Sequence, residues 1–222
     1  MLDIIEKAVK EGRKTLSEYE SRLIIESAGV FVAAAALTKT KKEAVQEAEK
    51  MGYPVVMKGC SAELSHKTEA GMVALNITDA EQVAKIFDEL TNKAKNLDGI
   101  LVEKMLRGSR ELVIGLSRDS SFGPCVMFGL GGIFTEVLKD VTFRVAPLTK
   151  EDALEMIDEI KTKKLLDEFR GSPAIDRDAL AKALIGVGDL GVKYDAIAEI
   201  DINPLIICGD KPVAVDALVV LK

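Results

Sequence analysis

Residues 54–73 constrain the fold most strongly, because a polar segment there separates two apolar runs. The stretch reads Pro-Val-Val-Met-Lys-Gly-Cys-Ser-Ala-Glu-Leu-Ser-His-Lys-Thr-Glu-Ala-Gly-Met-Val. Its first run is rich in β-branched residues and ends at Lys58, and Gly71 opens the second run. This pattern predicts a strand, a loop of about twelve residues and a second strand.

The predicted loop contains His66, the only histidine among the 222 residues. Its unperturbed pKa lies near neutral pH, and the neutral imidazole can act as a nucleophile or a metal ligand. The charge of Lys67 beside it favours the neutral form. Since no cysteine stands at metal-ligand spacing from it, a histidine metal site is disfavoured. A nucleophile and an ordinary solvated loop residue both remain open.

Composition excludes several classes of function. The formal net charge is −6, from 36 acidic and 30 basic residues, and no basic block stands out, which disfavours nucleic-acid or anionic-membrane binding. No apolar run is long enough to span a bilayer, and the N-terminus has no apolar signal core. Three scattered cysteines indicate reduced thiols. We therefore expect a cytoplasmic protein.

Helix signals alternate with strand signals in the first half of the chain. A short amphipathic helix is predicted over 3–12, and glycines at 29 and 52 predict the ends of the next two helices. Three capping-box patterns predict helix starts, at Ser17–Glu20, Thr40–Glu43 and Thr78–Glu81. The alternation indicates a compact α+β lobe.

The second half has a different pattern. Strand candidates at 99–105, 110–118 and 123–129 follow one another through short connections, which predicts an antiparallel meander. Later segments predict three helices and two closing strands. The helices are expected near 150–160, 162–169 and 178–190, and the strands at 197–208 and 213–221.

Acidic residues interrupt several of these apolar strands. Period-two alternation places Glu199, Asp201 and Asn203 on one face of their strand, and Asp216 is expected in a strand across a hairpin from them. An asparagine with a pair of acids is a suitable oxygen donor set for Mg²⁺, usually completed by substrate phosphates. Solvated strand edges would give the same pattern. Glu103 and Glu111 occupy similar positions in earlier strands.

A glycine cluster at Gly129–Gly132 predicts a flexible turn. Its backbone amides could hold an anion, although an ordinary turn explains the same residues. The spacing matches neither of the common phosphate-binding loops, so neither a Walker-type ATPase nor a Rossmann dehydrogenase is indicated. Whether this turn and Arg144 serve phosphate handling or a partner interface is left open.

Taken in order, these stretches resemble one known family. The chain is similar to the ATP-grasp domain, or β subunit, of the ADP-forming acyl-CoA synthetases, particularly the archaeal acetyl-CoA synthetases, which are related to succinyl-CoA synthetase. The matching stretches are Gly52–Lys58, Ser65–Glu69, Arg118–Leu148 and Glu199–Leu205. They extend over nearly the whole chain. The sequence departs from the family pattern at Ala62, where many relatives have proline, and at Met72, where glycine is frequent.

The resemblance implies an α+β ATP-grasp fold, in which two lobes with largely antiparallel sheets clasp the nucleotide. The smaller lobe is expected over 16–103 and the larger over 1–15 and 104–222. The implied roles are ATP phosphate contact for Lys58, adenine recognition for Glu103 and Met105, ribose contact for Glu111, and Mg²⁺ binding for Asp201, Asn203 and Asp216.

The resemblance also implies an activity. His66 matches the histidine that accepts a phosphoryl group from a partner subunit's phosphohistidine and passes it to ADP. The expected reaction converts acyl-CoA, ADP and phosphate into carboxylate, ATP and CoA, with Mg²⁺ as cofactor. Since this chain has no CoA-binding Rossmann lobe and no second histidine, a CoA-binding α subunit is expected, in an α2β2 heterotetramer. An ATP-grasp carboxylate ligase acting through an acyl phosphate and a nucleotide-sensing module without turnover are the alternatives.

Overall fold

The structure, a computed structural model, describes residues 2–64, 70–108, 110–132, 140–168 and 171–222. In chain order its helices and strands are α1 (Leu2–Lys10), α2 (Glu18–Ser27), β1 (Phe31–Val32), β2 (Ala35–Thr38), α3 (Lys41–Met51), β3 (Val55–Cys60), β4 (Val73–Ile77), α4 (Ala80–Lys93), β5 (Gly99–Lys104), β6 (Glu111–Asp119), β7 (Gly123–Leu130), β8 (Val141–Val145), α5 (Lys150–Glu159), a 3-10 helix (Lys163–Leu166), α6 (Arg177–Lys193), β9 (Ile197–Cys208), β10 (Lys211–Ala214) and β11 (Leu218–Leu221). The predicted α+β class with largely antiparallel sheets is confirmed.

The chain divides into two compact units. The larger unit contains Met1–Leu16, Glu20–Val32 and Arg107–Lys222, and the smaller unit contains Ser17–Tyr19 and Ala33–Leu106. This division differs from the expected lobes chiefly in assigning most of α2 to the larger unit. The physical reason is burial, because Ile24 and Ile25 of α2 are fully buried in the core of that unit.

The smaller unit is a four-stranded antiparallel sheet covered by two helices. The strand order is β2, β5, β3, β4. Apolar residues on α3 and α4 recur at helical spacing and pack on the sheet. The residues from the helices are Ala44, Ala48, Val83, Phe87 and Leu90, and those from the sheet include Val55, Met57, Ile100 and Val102.

The N-terminal caps of α3 and α4 can be compared with the predicted capping boxes. At α3 the box is present, because the Glu43 N–H donates to Thr40 Oγ1 at 3.2 Å and the Thr40 N–H donates to Glu43 Oε2 at 3.1 Å. At α4 the predicted box at Thr78 is wrong by one residue. Asp79 is the N-cap and accepts the Gln82 N–H at 2.8 Å. An ionised carboxylate is a stronger acceptor than a hydroxyl, so the aspartate takes this position.

The larger unit is built on a seven-stranded sheet. Its order is β1, β10, β9, β6, β7, β8, and β11 also pairs with β9. All of these pairs are antiparallel except β1 with β10. Helices α5 and α6 supply buried apolar residues to its core, among them Met156, Ile157, Leu184 and Val187.

Two strand predictions are corrected by this topology. Strand β5 does not belong to a meander with β6 and β7, because it pairs with β2 and β3 in the smaller unit. The segment predicted as one strand at 213–221 forms β10 and β11, which pair with different stretches of β9. The helix predicted at 162–169 is a 3-10 helix at Lys163–Leu166.

In the described parts of the chain, no helix has both the length and the apolar character needed to cross a membrane.

Candidate functional site

In the smaller unit, Lys58 lies in a buried cluster of charged side chains. Its Nζ is 2.8 Å from Glu18 Oε1 and 3.1 Å from Glu103 Oε2. The lysine side chain is 8% exposed and both glutamate side chains are 2% exposed. Strand register explains one contact. Lys58 of β3 lies opposite Leu101 of β5, so Glu103 is its diagonal neighbour on the same face.

Sequence reasoning selected Lys58 and Glu103 separately and did not find Glu18. The pairing between Glu18 and Lys58 spans forty residues, and no local pattern signals it. The only available signal was the position of Glu18 directly after Ser17, at the start of a predicted helix. The structure therefore adds one acidic residue to the candidate set.

Met105 follows the last residue of β5 and belongs to the same unit. Its N–H donates to the Pro54 carbonyl at 3.3 Å, which ties it to the entrance of β3. Its side chain is partly exposed. The hydrogen bond to Pro54 therefore fixes the backbone of Met105, two residues after Glu103.

In the larger unit, Glu111 opens β6 beside the glycine turn. The Gly131 N–H donates to the Glu111 carbonyl at 2.8 Å. A Cβ at Gly131 would lie 2.6 Å from the Leu112 carbonyl oxygen, and one at Gly132 would lie 2.5 Å from Glu111 Oε2. Gly132 also has φ +72. Close packing against β6 therefore explains why glycine occupies positions 131 and 132. The group nearest Gly132 is the Glu111 carboxylate, and not a cation that would attract phosphate.

Arg144 has a structural partner within the same unit. Its guanidinium donates to Glu159 at 2.6 and 3.0 Å and lies 3.6 Å from Glu155, which joins β8 to α5. The hydrogen bonds to Glu159, with smaller contributions from nearby acidic charge, raise the pKa of Arg144 above its ordinary value.

The predicted alternation of polar and apolar residues is present in β9. Glu199, Asp201 and Asn203 are exposed, while Ile200 and Ile202 between them are buried. The alternation arises because successive side chains of a strand point to opposite faces.

Asp216 was predicted in a strand, and this is wrong. It lies in the connection between β10 and β11, where its Oδ1 accepts the Ala217 N–H at 2.9 Å. Leu218 of β11 pairs with Asp201 of β9. This register brings the connection close to Asp201.

The Asp201 carboxyl group is strongly perturbed. Although the residue as a whole is exposed, surrounding protein atoms desolvate its carboxyl group and raise its pKa to about 6, and the negative charges of Asp216 and Glu199 add to the effect. Repulsion between neighbouring carboxylates is relieved by a divalent cation, and two acids with one amide supply the oxygen donors that Mg²⁺ prefers. The donor set of Asp201, Asn203 and Asp216 therefore fits Mg²⁺. Among the described residues, no group of three His, Cys, Asp or Glu is arranged to hold a metal by itself.

His66, the predicted phosphoryl carrier, lies outside the described residues. Cys60, close to the charged cluster, is buried, and burial raises the pKa of its thiol.

Two largely antiparallel sheets in separate units, with acidic and lysine side chains on their strands, agree with the ATP-grasp fold that the sequence led us to expect. A model of the ATP-grasp domain matches residues 7–221. The chain therefore belongs to the ATP-grasp family.

Individual relatives are more informative about the subgroup. The chain is 44% identical over 225 residues to the β subunit of ADP-forming acetate-CoA ligase I from Pyrococcus furiosus, covering 99% of this chain and 97% of that subunit.

Solved structures are similar to this chain over its whole length. Acetyl-coenzyme A synthetase 1 of Ca. Korarchaeum cryptofilum, solved with coenzyme A and Ca-AMPCP, has a TM-score of 0.93 at 42% identity, covering 100% of this chain and 99% of the other. A second structure of that synthetase contains coenzyme A and Mg-AMPPCP, with its phosphohistidine segment pointing towards the nucleotide-binding site. Its TM-score is 0.88 at 42% identity, with the same coverage.

Proposed function

We propose that this chain is the nucleotide-binding β subunit of an ADP-forming acyl-CoA synthetase, an acid-thiol ligase. The reaction converts acyl-CoA, ADP and inorganic phosphate into carboxylate, ATP and CoA. One observation carries the proposal: the chain matches an acetate-CoA ligase β subunit over nearly the full length of both proteins.

The nucleotide contacts are assigned residue by residue. In the smaller unit, Lys58 contacts the phosphates, and Glu103 with the backbone near Met105 recognises adenine. In the larger unit, Glu111 contacts the ribose. A lysine ammonium suits the first role because phosphoryl transfer depends chiefly on positioning and on neutralising negative charge. The burial of Lys58 among acids keeps its position well defined.

Asp201, Asn203 and Asp216 are assigned to Mg²⁺. When bound, the cation supplies positive charge at the phosphate oxygens. The chain's own contribution is a set of oxygen donors, two of them carboxylates that repel each other when the cation is absent.

His66 is assigned as the phosphoryl carrier. A neutral imidazole nitrogen attacks the phosphorus of the partner subunit's phosphohistidine, so one P–N bond forms at His66 as the other breaks. A β-phosphate oxygen of ADP then attacks the same phosphorus, the P–N bond at His66 breaks, and ATP forms. In the Korarchaeum relative the phosphohistidine segment points towards the nucleotide site, which supports this assignment.

The partner is a CoA-binding α subunit. Its presence is supported by the name of the Pyrococcus relative, a β subunit, and by the coenzyme A in the Korarchaeum complex. We extend the assignment to an α2β2 heterotetramer in the cytoplasm.

The test is phosphate transfer to the protein. The purified chain, with and without its α partner, is incubated with Mg²⁺ and γ-labelled ATP and analysed for acid-labile, base-stable phosphate. Label is expected on the wild type and absent from His66→Ala. Thr68→Ala, which removes a neighbouring hydroxyl, should keep the label.

Label that persists in His66→Ala would overturn the carrier role. Full synthetase activity of His66→Ala with the partner would instead favour a ligase that forms the acyl phosphate directly.

A further inference from the structure

The connection between β10 and β11 carries Asp216 past the proposed Mg²⁺ ligands of β9. Ala214, the last residue of β10, pairs with Leu205 of β9, and Leu218, the first residue of β11, pairs with Asp201. The connection therefore passes opposite the intervening residues of β9, with Asp216 at its centre. Since Asp216 lies outside both strands, strand pairing alone does not fix its position.

Arg22 of α2 reaches the peptide group that precedes Asp216. Its Nη1 donates to the Val215 carbonyl at 3.2 Å, and the residue is only 4% exposed. This carbonyl belongs to the same planar peptide unit as the Asp216 nitrogen, so a donor that holds the carbonyl also restricts the Asp216 backbone. The Val215 N–H donates to the Pro204 carbonyl at 3.2 Å, directly after Asn203. Val215 therefore links α2 to the part of β9 that bears the ligands.

Ser21, the neighbouring residue of α2, holds the other side of the connection. Ser21 is fully buried, and its Oγ accepts the Val219 N–H at 3.1 Å. A buried N–H that loses its acceptor is costly, so this hydroxyl anchors the start of β11. Consecutive residues of one helix thus bind the backbone on both sides of Asp216.

Helix α2 gives these contacts a firm support. Its Ile24 and Ile25 are fully buried in the core of the larger unit, which also contains the connection. Ligands are held more precisely by residues that are themselves fixed by packing. The Asp216 Oδ1 also accepts the Ala217 N–H at 2.9 Å, which restricts the carboxylate as well as the backbone.

We propose that Arg22 and Ser21 are positioning residues for the Mg²⁺ site, which hold Asp216 opposite the donors of β9. The proposal rests on the assignment of Asp216 to Mg²⁺ made above. It adds that the affinity for Mg²⁺ depends on two residues of α2 that are not ligands themselves. Residues that hold metal ligands in place typically contribute about 10- to 100-fold to metal affinity.

The test separates Mg²⁺ binding from nucleotide binding. Dissociation constants of the full chain for ADP are measured by calorimetry at several Mg²⁺ concentrations and in EDTA. Arg22→Lys keeps the charge but not the planar fork, and it should raise the Mg²⁺ concentration for half-maximal enhancement of ADP binding by about 10-fold. Ser21→Ala should raise it by a smaller factor, because a neutral hydrogen bond is lost. ADP affinity in EDTA should not change in either variant.

Arg118→Lys is the matched control for lost stability. Arg118 also donates to backbone carbonyls of the larger unit, those of Gly191, Tyr194 and Ile197. Its substitution should lower stability and leave the Mg²⁺ requirement unchanged. A rise as large as that in Arg22→Lys would show that lost stability explains the effect, and would overturn the positioning role.

A double variant isolates the route through Asp216. A guanidinium carries five N–H donors, so the bond to Val215 is one of several that Arg22 can make. Once Asp216→Ala has removed the ligand, adding Arg22→Lys should cause no further rise in the Mg²⁺ requirement. A further rise would show that Arg22 acts through other groups, and would overturn its positioning role.

The remaining outcomes distinguish this role from the proposed function. An unchanged Mg²⁺ requirement in folded Arg22→Lys or Ser21→Ala, or an equal loss of ADP affinity with and without Mg²⁺, overturns the role of that residue and leaves the proposed function intact. If Arg22→Lys does not fold, Ser21→Ala supplies the decisive measurement. A wild-type chain that binds ADP equally well with and without Mg²⁺ overturns the Mg²⁺ site itself, and the positioning role with it.

Discussion

Gly186 of α6 lies directly against the backbone of Ala28 at the end of α2. A Cβ built on Gly186 would be 1.9 Å from the Ala28 carbonyl oxygen and 2.9 Å from its carbonyl carbon. Backbone atoms cannot move aside as a flexible side chain can. The two helices of the larger unit therefore pack at a distance that only glycine permits.

Gly186→Ala should lower the free energy of unfolding by about 2 kcal/mol or more, since overpacking typically costs this much. The loss is expected even though alanine favours a helix over glycine by about 1 kcal/mol. Gly188→Ala is the matched control, because its nearest neighbours are side-chain atoms of Leu148, Ala146 and Val126 at 3.1–3.3 Å. Urea unfolding measures both. A loss for Gly188→Ala as large as that for Gly186→Ala would contradict the steric argument.

Arg118 closes the C-terminal end of α6. Its guanidinium donates to the carbonyls of Gly191, Tyr194 and Ile197, with a distance of 2.8 Å to Tyr194. Arg118→Ala should destabilise the chain by about 2–4 kcal/mol, because three carbonyls lose a charged donor. Arg118→Lys should recover little, since an ammonium cannot match the planar fork.

Lys222→Ala is the control for Arg118. It removes an exposed pair with Asp195 and should change stability by less than about 1 kcal/mol. Thermal unfolding of the three variants measures the difference. Equal stability of the lysine variant and the wild type would show that charge alone accounts for the role of Arg118.

Asp140 fixes the start of the segment that follows α5. Its carboxylate accepts the Lys161 N–H at 2.7 Å, the Thr162 N–H at 2.8 Å and the Thr162 hydroxyl. Burial opposes ionisation, but these hydrogen bonds outweigh it and hold the pKa of Asp140 below its ordinary value. Asp140→Asn should therefore destabilise the chain by about 1–3 kcal/mol at neutral pH.

The pH dependence follows from the sign of that shift. A carboxyl group whose pKa is lower in the folded state stabilises it above the unfolded pKa, and the contribution is lost as pH falls through the folded pKa. The stability difference between wild type and Asp140→Asn should be constant at neutral pH and shrink below about pH 4. A difference that grows on acidification would contradict this assignment.

The assignment of the Mg²⁺ ligands predicts that substitutions of two residues on one face of β9 affect ADP binding to different extents. Asn203→Ala should weaken Mg²⁺-dependent ADP binding by about 10-fold, because an oxygen ligand is lost. Glu199→Gln changes a neighbouring residue that is not assigned as a ligand and should have a smaller effect. Titration of ADP at several Mg²⁺ concentrations separates the two. A loss of affinity for Glu199→Gln with none for Asn203→Ala would contradict the ligand assignment and indicate that the face contributes only its overall negative charge.

Part of the fold and part of the candidate site could be predicted from local sequence. The alternation of Glu199, Asp201 and Asn203 with buried isoleucines follows from the period of a strand, and the Thr40 box follows from two side chains three residues apart. The family resemblance, which rests on motifs in chain order, is confirmed over residues 7–221.

Other features required the tertiary structure. Strand β5 has the same apolar pattern as β6 and β7, and nothing in that pattern states which sheet it joins. The break near Asp216 arises because β10 and β11 pair with different parts of β9.

By itself, the sequence determined most of the helices and strands, the polar face of β9 and the family, since these depend on neighbouring residues or on motif order. The tertiary structure decided the sheet to which β5 belongs, the position of Asp216, and the burial of Lys58 between Glu18 and Glu103. The physical reason is the separation of the interacting residues along the chain. Strand pairing and buried ion pairs join residues that lie far apart in the chain, and their energies depend on burial that no local pattern encodes.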